Sequence, residues 1–298
     1  MANPITINGT HKRRESYATD VLAMAKAQVN IYEDFSTDYE IDGATGAIKV
    51  PTRSAEVTIS NYDILNGVSL TQSATDYVDL PVDKNYAINE LIDGYEAEAV
   101  PDNIRANRIE AAGYSLGLKK ENMAIDVLKG NGTISSDVTS LTEQNAYKKI
   151  AAEVKNMKAR NMDVSQMRIV VDADTELLLL TDDKFANTSG QLGAELIREG
   201  VIGKINGVPV KTNYLMGNVK RSEEGSEGEV TRPVEFVIYD KRFIQKYEVW
   251  AVEPSINNLA DGKHIGASAL QGREVGGLKV TNALGVQIKL GSPISEGL

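Results

Sequence analysis

The stretch from Gly43 to Asn89 constrains the fold more than any other part of the chain. It is rich in Thr, Val, Ile, Ser and Tyr, residues that suit a pleated, half-buried surface. It predicts strands over Ala47–Pro51, Ala55–Ser60, Val68–Gln72 and Tyr77–Val82. Between the middle two, Asn61 to Gly67 (NYDILNG) carries turn chemistry. Apolar residues here alternate imperfectly and are too sparse to close a core. A β excursion of this kind is marginal alone in water, so it must lean on another body. A long helix follows. Pro101 and Asp102 suit its first turn, and Ile109, Ala112, Leu116, Met123 and Val127 recur at helical steps. Gly130-Asn131-Gly132 ends it. About 28 residues at about 1.5 Å each make a rod of roughly 42 Å, long for a globular helix and suited to a structural spine.

On either side the pattern is mixed. Arg13 to about Phe35 predicts a helix with two apolar stripes, Val21, Met24 and Ile31 on one and Leu22, Ala25, Val29 and Tyr32 on the other. A helix apolar on two sides needs partners on both. The basic run His11–Arg14 before it reads as a solvated helix start, the alternative being contact with an acidic neighbour or nucleic acid. After the long helix, Ser140 and Glu143 have capping-box spacing ahead of a helix that carries Tyr147, Ile150, Val154 and Met157. Met167–Val171 predicts a strand, Thr175–Thr181 a short apolar helix, and Gln191–Glu199 another helix. Gly203–Val210 reads as a strand pair turning at Asn206-Gly207. Lys220–Thr231 is polar and low in complexity, which predicts a surface loop. Strands return at Val234–Tyr239, Tyr247–Val252 and Gly285–Leu290, with a glycine-rich stretch over Asp261–Val280. Helix and strand alternate without a βαβ period, so the class is α+β.

Composition narrows function by exclusion. The 298 residues can bury a core without staples, and there is no cysteine to form a disulfide, a thiolate metal site or a cysteine nucleophile. With 32 Lys and Arg against 42 Asp and Glu, the net charge is −10, a poor match for a protein that coats phosphates. Met1–Thr10 has no apolar core of signal-peptide length, and no run reaches the roughly 18 apolar residues of a membrane span. This predicts a protein made and kept in a cytoplasm. Phosphate-binding loops, dinucleotide fingerprints, nucleophile elbows and His-Glu-x-x-His are all missing. Asp172-Ala-Asp174 lacks the rest of a calcium loop and reads as a strand end and helix cap. Asp93/Glu96/Glu98 and Asp182/Asp183 could serve acid–base work in a hydrolase, but solvated faces explain them more simply. No catalytic, cofactor or metal residue is expected.

The order of segments resembles the major capsid protein of tailed phages, with the Hong Kong 97-like fold. The resemblance runs along nearly the whole chain. It is carried by Ile59–Gly67 (ISNYDILNG), Tyr86–Asp93 (YAINELID) with the helix from Ile104 to Leu128, Tyr147–Leu180 with its RIVVDADTELLLL, and Gly200–Leu215 (GVIGKINGVPVKTNYL). It implies an N-arm at residues 1–42, an extended loop (E-loop) at 43–90, and a peripheral domain with the spine helix at 91–140. An axial domain at 141–264 and peripheral return strands at 265–298 complete the chain. It further implies self-assembly as hexamers and pentamers into an icosahedral head enclosing double-stranded DNA without specific binding. A separate scaffolding protein and a portal would be partners, no membrane would be, and assembly would take place in a bacterial host's cytoplasm. Subunit contacts would come from Ile59, Tyr62, Ile64, Leu65 and Val68 on the E-loop and from Val21, Leu22, Met24, Ile31 and Tyr32 on the N-arm. An encapsulin-type nanocompartment shell of the same fold is the nearest rival. A phage tail-tube protein and an acidic-pair hydrolase are more distant.

One branch of the family cross-links its subunits through an E-loop lysine, and here no lysine lies between Lys49 and Lys84. Purified particles boiled in denaturing buffer are therefore expected to run as a single band near 32.3 kDa, and a ladder of higher bands would contradict this.

Overall fold

The computed structural model describes residues 30–36, 47–53, 59–70, 75–99, 104–137, 139–182, 184–185, 201–222, 229–260 and 262–294. Most of the expected N-arm helix, including Val21, Leu22 and Met24, lies outside these residues, as do the helix at 191–199 and the strand positions 55–58 and 71–72. In chain order the elements are β1 (Ala47–Arg53), β2 (Thr75–Pro81), β3 (Lys84–Ile92), α1 (Gly94–Ala99), α2 (Ile104–Asn131) and β4 (Thr133–Ile134). There follow α3 (Ala146–Ala159), β5 (Met167–Val171), α4 (Ala173–Leu180), β6 (Val201–Ile205), β7 (Val208–Thr212) and β8 (Asn218–Ser222). Last come β9 (Glu229–Asp240), β10 (Ile244–Asn258), β11 (Ser268–Val280) and β12 (Val286–Leu290).

A mixed sheet in the order β4–β12–β9–β5–β7–β6, with β8 also on β9, carries the main core on both of its faces. The period of two along each strand sorts the side chains. Phe236 and Ile238 on β9, with Met167, Ile169 and Val171 on β5, face α3 and α4 and meet Ile150, Val154, Met157 and Leu179. Val237, Tyr239 and Val170, with Val286, Ile288 and Leu290 on β12, face the other way onto Ala124, Ile125 and Leu128 of α2. The turn joining β6 to β7 has φ of 51° at Asn206 and 87° at Gly207, the left-handed pair that a two-residue hairpin needs. Asp172 begins α4 as a cap, its carboxylate accepting from the Thr175 amide at 2.9 Å.

A second sheet, β10–β11–β3, is antiparallel throughout and packs on the same helix. Its core with α2 is thin: Ala112 is buried beside Ile92 and Leu270, while Ile109 stays 40% exposed. The spine is thus gripped through its C-terminal half. Its buried positions Glu121, Ala124, Ile125 and Leu128 form a stripe flanking the expected one, with Met123 and Val127 at the edge. The two-stranded ribbon β1–β2, with Ala47 opposite Pro81 and Arg53 opposite Thr75, packs at its root on the second sheet.

Several expectations are corrected. Residues 31–36 are not the end of an α-helix: a 3-10 turn spans Tyr32–Asp34, and Ser36 bridges to Gln245. Ser140 makes no capping box, because its hydroxyl is tied to Ser292 at 2.9 Å and α3 starts only at Ala146. Residues Ile59, Ser60 and Val68–Leu70 are not strand. Both ends of the expected polar loop 220–231 belong to the β8–β9 hairpin, with Lys220 opposite Thr231. Residues 244–258 run as β10, the edge of the second sheet, paired with β11. Among the described residues no helix is long and apolar enough to cross a membrane.

Leu128→Ala is expected to cost about 2–5 kcal/mol in denaturant unfolding, whereas Ile109→Ala should stay within about 0.5 kcal/mol. Equal effects would contradict a spine held by one half.

Candidate functional site

The ribbon β1–β2 is the part of the chain that the rest does not finish. At its root, the period of two puts Ile48 opposite Leu80 and Val50 opposite Val78, and these pack on Tyr247 and Val249 of β10. The Tyr247 hydroxyl donates to the Pro81 carbonyl, and Lys279 Nζ donates to the Asp79 carbonyl at 2.6 Å. Toward the tip this support stops, and from 59 to 70 no described residue is buried. The tip nonetheless has a defined form. The Asp63 carboxylate accepts from the Leu65 amide at 2.8 Å and from Asn66 Nδ2 at 2.9 Å, and the Gly67 amide donates to the Asp63 carbonyl at 2.8 Å. Gly67 closes the turn at φ 67°. These bonds, the Leu65 amide first, hold the Asp63 carboxyl below the usual carboxylate range. The turn presents apolar side chains to water: Ile59 is 94% exposed, Ile64 87%, Leu65 91% and Leu70 103%, with Tyr62 and Val68 also exposed. Apolar clusters of this kind mark interaction surfaces.

The anchor of the N-terminal segment 30–34 is polar and buried. Glu121, fully buried on α2, accepts from the backbone amides of Asn30 at 3.1 Å, Ile31 at 2.9 Å and Tyr32 at 2.8 Å, and from the Asn213 side chain. Asn30 Nδ2 donates to the Thr212 carbonyl at 2.8 Å, which ties the same segment to the end of β7. One turn on, the buried Asp34 accepts from the Tyr239 hydroxyl at 2.7 Å and pairs with Lys241 at 2.5 Å and Lys211 at 3.4 Å. Burial, reinforced by the Asp34 charge, pushes the Tyr239 phenol far above its ordinary range. The Tyr32 ring lies between two ammonium groups, Lys246 at 4.5 Å and Lys120 at 5.4 Å from its centroid.

The expected interface residues therefore divide. Ile59, Tyr62, Ile64, Leu65 and Val68 lie together on the exposed tip. Ile31 does not offer surface to a neighbour, because it has no exposed area and packs with Phe35 against Leu128 and Tyr239 of its own chain. Tyr32 is half-buried beside it. Reading the sequence missed Glu121, Asp34 and Asn213. Glu121 had a signal, since it sits three, four and seven residues before Ala124, Ile125 and Leu128 on the buried stripe, where a charge needs a partner.

Of the two acidic clusters, Asp93 leads into α1 and Asp182 follows α4, while Asp183 lies outside the described residues. The Asp93 carbonyl accepts from the Ala97 amide at 3.0 Å, and the Asp182 carboxylate accepts from the Lys184 amide at 2.9 Å. Among the described residues no group of His, Cys, Asp and Glu could hold a metal ion.

No family model matches the chain, and no curated protein does. Solved structures do. One from Mycobacterium phage Che8 is 20% identical, with a TM-score of 0.72 over 95% of this chain and 98% of that one. The capsid structure of the cyanophage P-SCSP1u is 10% identical, with a TM-score of 0.74 over 93% and 92% of the two chains. The capsid of Ralstonia phage GP4 is also 10% identical and covers 100% of both chains at a TM-score of 0.67. The chain has the fold of these phage structures, the Hong Kong 97-like α+β fold.

Glu121→Ala would strand three backbone amides and an asparagine in the interior. Unfolding by denaturant is expected to show a loss of about 3 kcal/mol or more, with Glu121→Gln milder because one acceptor oxygen remains. A loss under about 1 kcal/mol for Glu121→Ala would contradict the anchor.

Proposed function

We propose that this protein is the major capsid subunit of a tailed phage, assembling with copies of itself as hexamers and pentamers into an icosahedral head around double-stranded DNA. The observation that carries this reading is the stretch 59–70 beyond the β1–β2 ribbon: apolar, held in a defined turn, and covered by none of the described residues. Burying one Leu or Ile side chain contributes about 1.5–3 kcal/mol, so several together favour a second copy strongly enough to outweigh part of the ordering cost of association. Head-to-tail contacts of this type close into rings and shells. The capsid structures that share the fold support the same assembly.

In this reading residues 1–42 form an N-arm, 43–90 the E-loop, and 91–140 with 265–298 a peripheral domain, to which β10 adds a strand. The rest of 141–264 forms an axial domain near the hexamer and pentamer centres. Function lies in assembly, with no catalytic residue. The net charge of −10 suits a container that must pack and release a phosphate polymer without gripping it. Scaffolding and portal proteins would be partners, and the product would reside in the virion after assembly in the host cytoplasm. The nanocompartment reading draws less support, since the solved structures named above come from phages.

Ile59→Asp and Leu65→Asp are expected to weaken each subunit contact by at least about tenfold, read as a higher concentration threshold for assembly in sedimentation, while thermal unfolding of the single chain stays unchanged. Normal closed shells from both variants would overturn the role given to the tip.

A further inference from the structure

Helices α3 and α4 lie side by side on one face of the central sheet, and each also presents a face to water. On α4, Thr175 and Leu179 are buried, whereas Leu177 and Leu180 are 64% and 50% exposed. At about 3.6 residues per turn these two leucines share a stripe with Ala173, bordered by Asp174 on one side and Glu176 on the other. Exposed Tyr214 extends the stripe beyond Glu176, to whose carboxylate its hydroxyl donates at 3.1 Å. On α3, the stripe opposite Ile150, Val154 and Met157 reads Lys148, Ala152, Lys155 and Ala159, all exposed. Two further lysines of α3 are engaged within the chain, Lys149 with Asp137 at 3.0 Å and Lys158 with the Asn206 carbonyl at 2.8 Å. Among the described residues Lys148 and Lys155 pair with no carboxylate, and Asp174 pairs with no cation.

We propose that these two faces are the halves of one contact, in which α4 of one copy of this chain lies on α3 of the next. The Leu177 and Leu180 side chains would rest on Ala152 and Ala159, where short side chains leave room for them. Lys148 and Lys155 would meet Asp174 and Glu176 along the borders. Charge selects this occupant: one face is apolar with an acidic border, the other is small with free lysines, so each fits the other and neither fits itself. Three apolar side chains side by side in water mark a surface that a partner covers.

The two faces cannot meet within one chain, because both helices turn their other side onto the same sheet. A contact between two different faces is head-to-tail, and it closes when the rotation per copy divides a full turn. This inference rests on the capsid reading and deepens it: the α3–α4 contact would run around each hexamer and pentamer, separately from the contact made by the stretch 59–70.

The test is charge reversal in the full chain, read by sedimentation and negative-stain electron microscopy. One variant carries Lys148→Glu with Lys155→Glu, a second carries Asp174→Lys with Glu176→Lys, and a third carries all four. Each of the first two is expected to raise the concentration threshold for assembly at least about tenfold, with thermal unfolding of the single chain unchanged because the positions are exposed. The third, with both signs exchanged, should close shells again. An equal mixture of the first two should pair only in alternation, which an even ring permits and a ring of five does not, so it should give hexamers and open lattices without closed shells. Closed shells from either of the first two variants at the wild-type threshold would overturn the inference, as would failure of both the third variant and the mixture to assemble. Either result, with a wild type that assembles, leaves the capsid reading standing. A wild type that never assembles overturns both.

Discussion

One buried carboxylate holds the architecture in register. Glu121 stands on the spine where a leucine would be expected, and its two oxygens take up three consecutive backbone amides of residues 30–32 with the Asn213 side chain. A charge in that place would be costly without donors, and a segment entering the interior with free amides would be equally so. Each resolves the other. The bond set fixes where the N-terminal segment crosses α2 and so places Asp34 under Tyr239, Lys241 and Lys211. It also places Ser36 on β10, where its amide donates to the Ile244 carbonyl at 3.1 Å. Replacing the set by apolar residues of similar shape could keep the stability, but would lose the directional match that admits one crossing point.

From that crossing point the contrast between interior and edge follows. Both faces of the central sheet are covered, one by α2 and one by α3 and α4. The ribbon β1–β2 is packed in the same way at its root, where Leu80 is fully buried, whereas the leucines and isoleucines described between 59 and 70 lie in water. A chain able to bury Leu80 so completely has the means to bury Leu65. Leaving it exposed, in a turn that Asp63 and Gly67 hold in one form, is the signature of a surface completed by another molecule.

Much of this was legible in the sequence wherever local chemistry and tertiary context agree. The long helix, the α3 face through Ile150, Val154 and Met157, the strand at Met167–Val171, the Asn206-Gly207 turn and the Asp172 cap were all readable, because periodicity or a turn residue dictates each one. The failures share a cause, a distant partner outbidding a local motif. Ser140 has capping-box spacing, yet Ser292 takes its hydroxyl from across the fold. Ile31 continues a helical stripe, yet Glu121 draws the amides of its segment out of any helical ladder. The segment 220–231 looks like loop by composition, yet β9 recruits its ends as strand. On the tip, the exposed apolar residues were identifiable from their excess over what a local core could use. The anchor of the segment 30–32 was not, because Glu121 and Asn213 are 92 positions apart.

The central claim is that the surface of this chain is finished by copies of itself. Electron microscopy of the purified full-length protein, fractionated by size and imaged in negative stain, tests it most directly. The account predicts closed shells, or free hexamers and pentamers with subunits joined through the ribbon. A homogeneous monomer or dimer at every concentration and salt tried would contradict it.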